Sequence, residues 1–253
     1  MGSKSSARSG TQSVERAIAL LREVSARAQF GWQLGDIAAR CDLSRSTAHR
    51  ILAHLVRQGL VVRRPADRHY VPGPFLFELG LALPEYGDLQ YVARARLTAL
   101  ANCSGGVAFL YFRSGDDFVC AVRAGKTETK ALTIVPGTRR PLIMSAGGAA
   151  ILRALPAEEA RAIIRRNLGS QEARARRKAI TALLYRTREE GLGVDAGYLV
   201  PSVNDFGYPV RDANGAPFAS ITLSGSELKF PVSRLADMHR FLKTTAEDLQ
   251  PKR

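Results

Sequence analysis

The sequence lacks most of what catalysis usually needs. Its 253 residues hold three cysteines, Cys41, Cys103 and Cys120, widely separated and without a C-x-x-C pair. An odd, scattered set implies neither a disulfide framework nor a zinc site, so buried, reduced thiols are expected. The four histidines, His49, His54, His69 and His239, leave the whole middle of the chain without an imidazole, and a nucleophile placed there would have no histidine base. No H-E-x-x-H pair and no Walker-type glycine loop occurs; no cofactor and no metal are expected. Apolar runs are too short to cross a bilayer, and Met1 to Gly10 is Ser- and Gly-rich without the apolar segment of an export signal. A soluble cytoplasmic protein without a membrane partner is expected. Acidic residues are also scarce: 23 Asp and Glu stand against 37 Lys and Arg, a formal net charge of +14. That excess points to a polyanionic partner.

The charge is uneven. Up to Gly73 there are twelve Lys or Arg and five acids, so the N-terminal part is the more basic. A second cluster, from Arg161 to Lys178, includes Arg165, Arg166, Arg174, Arg176 and Arg177 with one acid, Glu172. It reads more readily as a solvated helical face than as a second binding surface.

The basic N-terminal part carries the strongest pattern. Leu34, Ile37, Ala38 and Cys41 recur at i, i+3, i+4 and i+7, one face of a short helix. Asp42 and Leu43 break it. Ser44 then caps a second helix whose apolar face is Ala48, Ile51, Leu52 and Leu55. The exposed start of that helix, Ser44, Arg45, Ser46, Thr47, His49 and Arg50, is almost all hydrogen-bonding or cationic, which suits phosphates and base edges. Gly59 ends it. Strand, turn and strand follow to Tyr70, and their tip carries Arg63, Arg64 and Arg68, a charged hairpin able to reach a neighbouring minor groove or backbone. An earlier helix with Val14, Ala17, Ile18, Leu21 and Val24 at helical spacing supplies the surface against which the other two pack. Together these describe a winged helix-turn-helix over residues 13–73, preceded by a disordered tail at 1–12. Residues 74–87 read as a linker helix from Phe75 to Leu83 that Pro84 closes. It is too apolar to remain in water, so a second copy of the chain is expected to cover it.

From residue 88 to 253 the pattern is helix, strands, helices, strands, helix, an α+β domain with a largely antiparallel sheet. Asn214-Gly215 is its strongest hairpin signal. In the following strand Thr222 and Ser224 share one face and Ile221 and Leu223 the other. Ser145 to Gly148 forms a glycine-rich helix entry. Asp195 and Asp205 read as loop carboxylates, which are normally solvated.

Taken in order, Ser13 to Ala17, Ser44 to Arg50, Gly59 to Val61, Pro141-Leu142, Ala146 to Gly148 and Gly191 to Asp195 resemble the IclR family of bacterial transcription regulators, over nearly the whole chain. The resemblance implies a winged helix-turn-helix joined by a linker helix to a GAF-like effector domain, assembled as a homodimer or dimer of dimers on a palindromic operator. It also implies an effector pocket lined by Leu132, Ala146, Gly147, Asp195, Asp205, Thr222 and Ser224. Many members carry a cysteine where this chain has Asp205, and the added carboxylate disfavours an acidic effector unless Arg139, Arg140 or a bound cation compensates. The expected function is a ligand-responsive regulator that binds double-stranded operator DNA and a small organic metabolite, not an enzyme. The alternative is an enzyme acting on a small metabolite with an appended DNA-binding module.

Overall fold

The structure, a computed structural model, describes residues 5–127 and 132–250. The chain divides into two compact units, Met1–Gly87 and Asp88–Arg253.

The first unit contains α1 (Ser5–Ala26), α2 (Leu34–Arg40), α3 (Arg45–Arg57), the hairpin β1 (Val61–Arg63) and β2 (Tyr70–Pro72), and α4 (Phe75–Gly80). Leu20 and Val24 of α1, Ile37 and Ala38 of α2, and Ala48, Leu52 and Leu55 of α3 bury into one core with Val61 and Tyr70. Two expectations for α1 are corrected. Val14 and Ile18 lie 57% and 45% exposed, because the helix turns Leu20 and Val24 inward. Helical backbone also covers residues 5–12, expected as a tail; residues 1–4 lie outside the described residues. A helix anchored by buried turns at Leu20 and Val24 extends towards its N-terminus at little cost when no proline interrupts it. Trp32 exchanges backbone hydrogen bonds with Tyr70, 3.0 and 2.8 Å, and so adds a one-residue third strand to the wing.

The linker is also corrected. The first helix ends at Gly80, and Pro84 opens rather than closes a helix: α5 runs Pro84–Ser104 and so begins inside the stretch expected as linker. Proline lacks only the N–H that the first helical position leaves unused, so it can begin a helix as well as stop one.

The second unit continues with β3 (Val107–Ser114), β4 (Asp117–Ala124), β5 (Arg139–Pro141), α6 (Ala146–Ala154), α7 (Ala157–Asn167), α8 (Gln171–Ala175), α9 (Arg177–Glu190), β6 (Gly193–Ala196), β7 (Val203–Arg211), β8 (Pro217–Ser226) and α10 (Leu235–Asp248). The strands form one six-stranded sheet in the order β5-β4-β3-β8-β7-β6 with every neighbour antiparallel. This is the expected α+β architecture. Gly215, at φ +82°, makes the β7–β8 turn. Both faces of the sheet are buried. Ala93, Leu97 and Leu100 of α5 and Met238, Leu242 and Ala246 of α10 cover Leu110, Phe206, Ile221 and Leu223 on one side. On the other, Ala146, Ala149 and Ile151 of α6, with Ile163 of α7 and Ile180 and Leu183 of α9, pack with Phe109, Tyr111 and Phe118. The basic cluster is split among the end of α7, all of α8 and the start of α9.

Candidate functional sites

The start of α3 is built as the sequence implies. Ser44 has extended backbone and caps the helix: its hydroxyl accepts from the Thr47 N–H at 3.3 Å and donates to Thr47 Oγ1 at 2.8 Å. Ser44 is thus the N-cap that the sequence implies. Arg45, Ser46, His49 and Arg50 are exposed, with Thr47 half-buried beside them, and Ala48, Leu52 and Leu55 anchor the opposite face. The helix thus presents two guanidinium groups and three polar side chains from a rigid support.

The wing arginines divide. The guanidinium of Arg64 is already occupied: Nε and Nη2 donate to Asp67 Oδ1 and Oδ2 at 3.0 and 2.6 Å, while Nη1 and Nη2 donate to the carbonyls of Gln29 and Phe30 at 3.2 and 2.9 Å. The same contact holds the Asp67 carboxyl well below the usual range. Arg64 thus braces the wing against the loop after α1. Asp67, three residues on in the tight turn, is what captures it. Arg63 lies 5.6 Å over the Tyr70 ring, and its Nε donates to the Arg68 carbonyl at 3.2 Å. Arg68 is exposed at the tip, at φ +62°.

In the second unit the strand register gathers the other expected residues. Asp195 and Asp205, expected in loops, are interior to β6 and β7 and stand directly opposite each other. Their burial follows from that placement. Asp205 also stands opposite Ser224, Gly207 opposite Thr222, and Pro209 opposite Ser220. On the other side of β8, Thr222 faces Phe109 and Ser220 faces Tyr111. Directly opposed residues share a face of a sheet, so the two carboxyls and three hydroxyls form one polar band bordered by aromatic rings. The first turn of α6 lies on this band, with Ser145 capping it through a 2.9 Å bond to the Gly148 N–H. A Cβ on Gly147 would collide with Thr222 Oγ1 and come within 2.7 Å of Ser220 Oγ, and one on Gly207 would come within 2.6 Å of the Gly147 nitrogen. Glycine is thus required on both sides for helix and sheet to approach so closely. Leu132 is buried in the same core as Phe109 and Tyr111. Arg123 lies 5.7 Å over the Phe109 ring, and its Nη1 donates to the carbonyls of Leu132 and Ile134 at 3.2 and 2.7 Å.

The two carboxyls differ. Asp195 accepts from the N–H groups of Tyr198 at 2.8 Å and Leu199 at 3.3 Å; burial pushes its pKa up to about 6 against those two bonds. Asp205 has no such support. Burial, and then the charge of Asp195, push it up to about 7, with only the Ser224 hydroxyl pulling the other way. Among the described residues Asp205 Oδ1, Thr222 Oγ1 and Ser220 Oγ are buried without a hydrogen-bond partner. A buried oxygen left unpaired costs about 1–3 kcal/mol, so three on one face need an explanation. Sequence reading missed Ser220, Tyr111 and Arg123. Ser220 continues the Thr222, Ser224 alternation and could have been found that way; Tyr111 and Arg123 enter only through strand pairing. His239 of α10 stacks on Tyr208 at 5.5 Å between centroids, and Tyr208, opposite Ile221, belongs to the other face of the sheet.

Comparison with known proteins agrees with both units. Residues 13–65 match the family model of the IclR helix-turn-helix domain, and residues 85–250 match that of the bacterial transcriptional regulator IclR C-terminal domain. The chain is 28% identical over 243 residues to the HTH-type transcriptional regulator BhcR of Paracoccus denitrificans, covering 95% of this chain and 86% of that one. It is 29% identical over 255 residues to the HTH-type transcriptional repressor AllR of Salmonella typhi, covering 96% and 90%. Among solved structures, an IclR homologue from Microbacterium hydrocarbonoxydans complexed with 4-hydroxybenzoate has the same fold, with a TM-score of 0.69, 19% identity, and coverage of 94% of this chain and 97% of that one. A DNA-reading helix on a basic unit and a second unit of the matching fold agree with two family models that together span most of the chain: it belongs to the IclR family of bacterial transcriptional regulators.

Proposed function

We propose that the first unit reads a palindromic operator in the cytoplasm, while the second unit binds a small organic metabolite that changes operator affinity. In the first unit Arg45, Ser46, Thr47, His49 and Arg50 contact the major groove from α3, and Arg63 and Arg68 reach the adjacent backbone or minor groove from the wing. Ser44 and Arg64 hold this surface in shape. In the second unit Asp195, Asp205, Thr222 and Ser224, with Ser220, form the polar lining, Ala146 and Gly147 the floor, and Leu132 an apolar wall. The observation that carries the reading is the set of three buried, unpartnered oxygens, Asp205 Oδ1, Thr222 Oγ1 and Ser220 Oγ. Polar atoms placed so, beside apolar walls, are what a metabolite site needs and what a purely structural core avoids. The 4-hydroxybenzoate complex of the Microbacterium homologue supports a ligand in this fold. An enzymatic reading finds little support, since no histidine lies among the residues of this face.

Two copies are needed to match a two-fold operator. Phe77, Leu79, Leu81 and Leu83 lie 50–72% exposed within a short stretch of the first unit, an apolar surface that a second copy would cover.

The test is a melting-temperature screen of the full chain against a metabolite library, followed by operator binding with each hit. A compound that binds the folded state raises the melting temperature, and one that shifts the DNA-competent equilibrium must also change operator affinity. Hits that leave operator binding untouched, or a library without a hit, would refute the effector reading.

A further inference from the structure

We infer that the effector presents a nitrogenous hydrogen-bond donor, an amidinium, ammonium or amide group, to Asp205, and that this site rejects a simple carboxylate there. The inference rests on the effector reading above and narrows its chemistry. Asp205 Oδ1 is buried and has no donor among the described residues. Asp195 stands opposite it with a second carboxyl whose own needs are met by the Tyr198 and Leu199 N–H groups. Ligand-free, this corner therefore holds one spare acceptor between two acidic groups. A bound carboxylate would add negative charge to a corner where burial and the neighbouring carboxyl already disfavour it, whereas a donor would satisfy the orphan atom and a cation would also favour the Asp205 anion.

Among the described residues no cation acts on Asp205. Burial and Asp195 both disfavour the Asp205 anion, and the only offset comes from the Ser224 hydroxyl. Arg123 is committed to the carbonyls of Leu132 and Ile134, and Tyr111, buried on β3 near Asp205, adds no positive charge. Nor does the start of α6 invite an anion. Its Gly148 N–H is taken by Ser145, and Gly207 presses close against the Gly147 nitrogen. The unpartnered hydroxyls of Thr222 and Ser220 can donate or accept, so they accommodate the rest of such a ligand without adding charge.

Acetamidinium, acetamide and acetate share one shape and carry charges of one sign, none and the other. Each is titrated into the full chain at neutral pH and followed by the ¹³C carboxyl signals of Asp195 and Asp205 and by melting temperature. Acetamidinium is expected to bind at least about tenfold more tightly than acetate, the scale of one charge-assisted hydrogen bond, with acetamide between them and the Asp205 signal responding. In Asp205→Asn the cation's advantage is expected to vanish; the wild-type ranking decides the matter should that variant fail to fold. Acetate binding as tightly as acetamidinium, or an Asp205 signal unmoved by acetamidinium at its solubility limit, overturns the inference. A metabolite library that still yields hits would then leave the effector site standing with different chemistry, whereas a library without hits removes both readings.

Discussion

Replacing Gly147 by alanine adds one methyl group where α6 lies closest to the sheet, and the atoms it meets determine the outcome. Alanine favours the helix by about 1 kcal/mol over glycine. Against that, the new Cβ collides with Thr222 Oγ1 and comes to 2.7 Å from Ser220 Oγ and 2.9 Å from Tyr111 Cδ2. Overpacking of this kind costs about 1–3 kcal/mol, and with three atoms inside ordinary contact distance the upper end applies, so a net destabilisation of about 2 kcal/mol is expected. Each of these obstacles is a side-chain atom, and the two oxygens have no partner to lose. Thr222→Ala should therefore cost little alone and should restore at least half the loss in the Gly147→Ala background. Gly148 provides the contrast, because its Cβ would meet the backbone of Leu142, with the carbonyl carbon at 2.7 Å. No side-chain substitution moves that atom, so Gly148→Ala should cost more and Thr222→Ala should not rescue it. Urea denaturation of the full chain followed by circular dichroism measures the three single and two double variants. Trp32, the only tryptophan and part of the first unit, reports separately on that unit. Gly147→Ala as stable as the parent, or rescue of Gly148→Ala by Thr222→Ala, would refute the reasoning.

Arg45→Ala and Arg50→Ala should each weaken operator binding by about 1–3 kcal/mol if they contact bases, without lowering the melting temperature; fluorescence anisotropy on specific and random duplexes separates this from a phosphate contact. Arg64→Ala should instead lower the melting temperature of the first unit, because four hydrogen bonds to Asp67, Gln29 and Phe30 are lost, and unchanged melting would contradict its role as a brace. The raised carboxyls make stability pH-dependent. The unfolded chain releases the Asp205 proton near its ordinary 3.8 and the folded protein near 7, so the contribution of this group to stability is greatest below the lower value and is lost as pH rises through that window. The loss should be on the order of a few kcal/mol. Asp205→Asn should flatten the upper part of that slope, and an equal slope in the variant would show that Asp205 is not its source. Sedimentation should find no stable 27.5 kDa monomer at micromolar concentration, and Leu81→Lys, which places a charge in the exposed linker stretch, should release one.

Short-range physics made much of the first unit legible in the sequence. The i, i+3, i+4, i+7 spacing of Leu34 to Cys41, the Ser44 cap and the Gly59 stop are local patterns, and α2 and α3 form where those patterns lie. The Asn214-Gly215 turn and the alternation of Thr222 and Ser224 are likewise local, and they place β8 and its two faces. Other features depended on which segments meet. Pro84 can stop one helix or start another, and only the packed chain selects the second. Arg64 read as a free cation until the turn brought Asp67, Gln29 and Phe30 around it. Asp195 and Asp205 read as separate loop carboxylates because nothing in their sequence neighbourhood sets the β6–β7 register. That register places them opposite each other, and the close approach of α6 to β6 and β7 covers the face they share. Sequence alone determined the family, the capped, polar start of α3 and the hydroxyl-bearing strand. Tertiary structure decided which arginine braces the wing and which carboxyl is buried with an unpartnered oxygen, because a side chain's partners are set by long-range register and packing rather than by its neighbours along the chain.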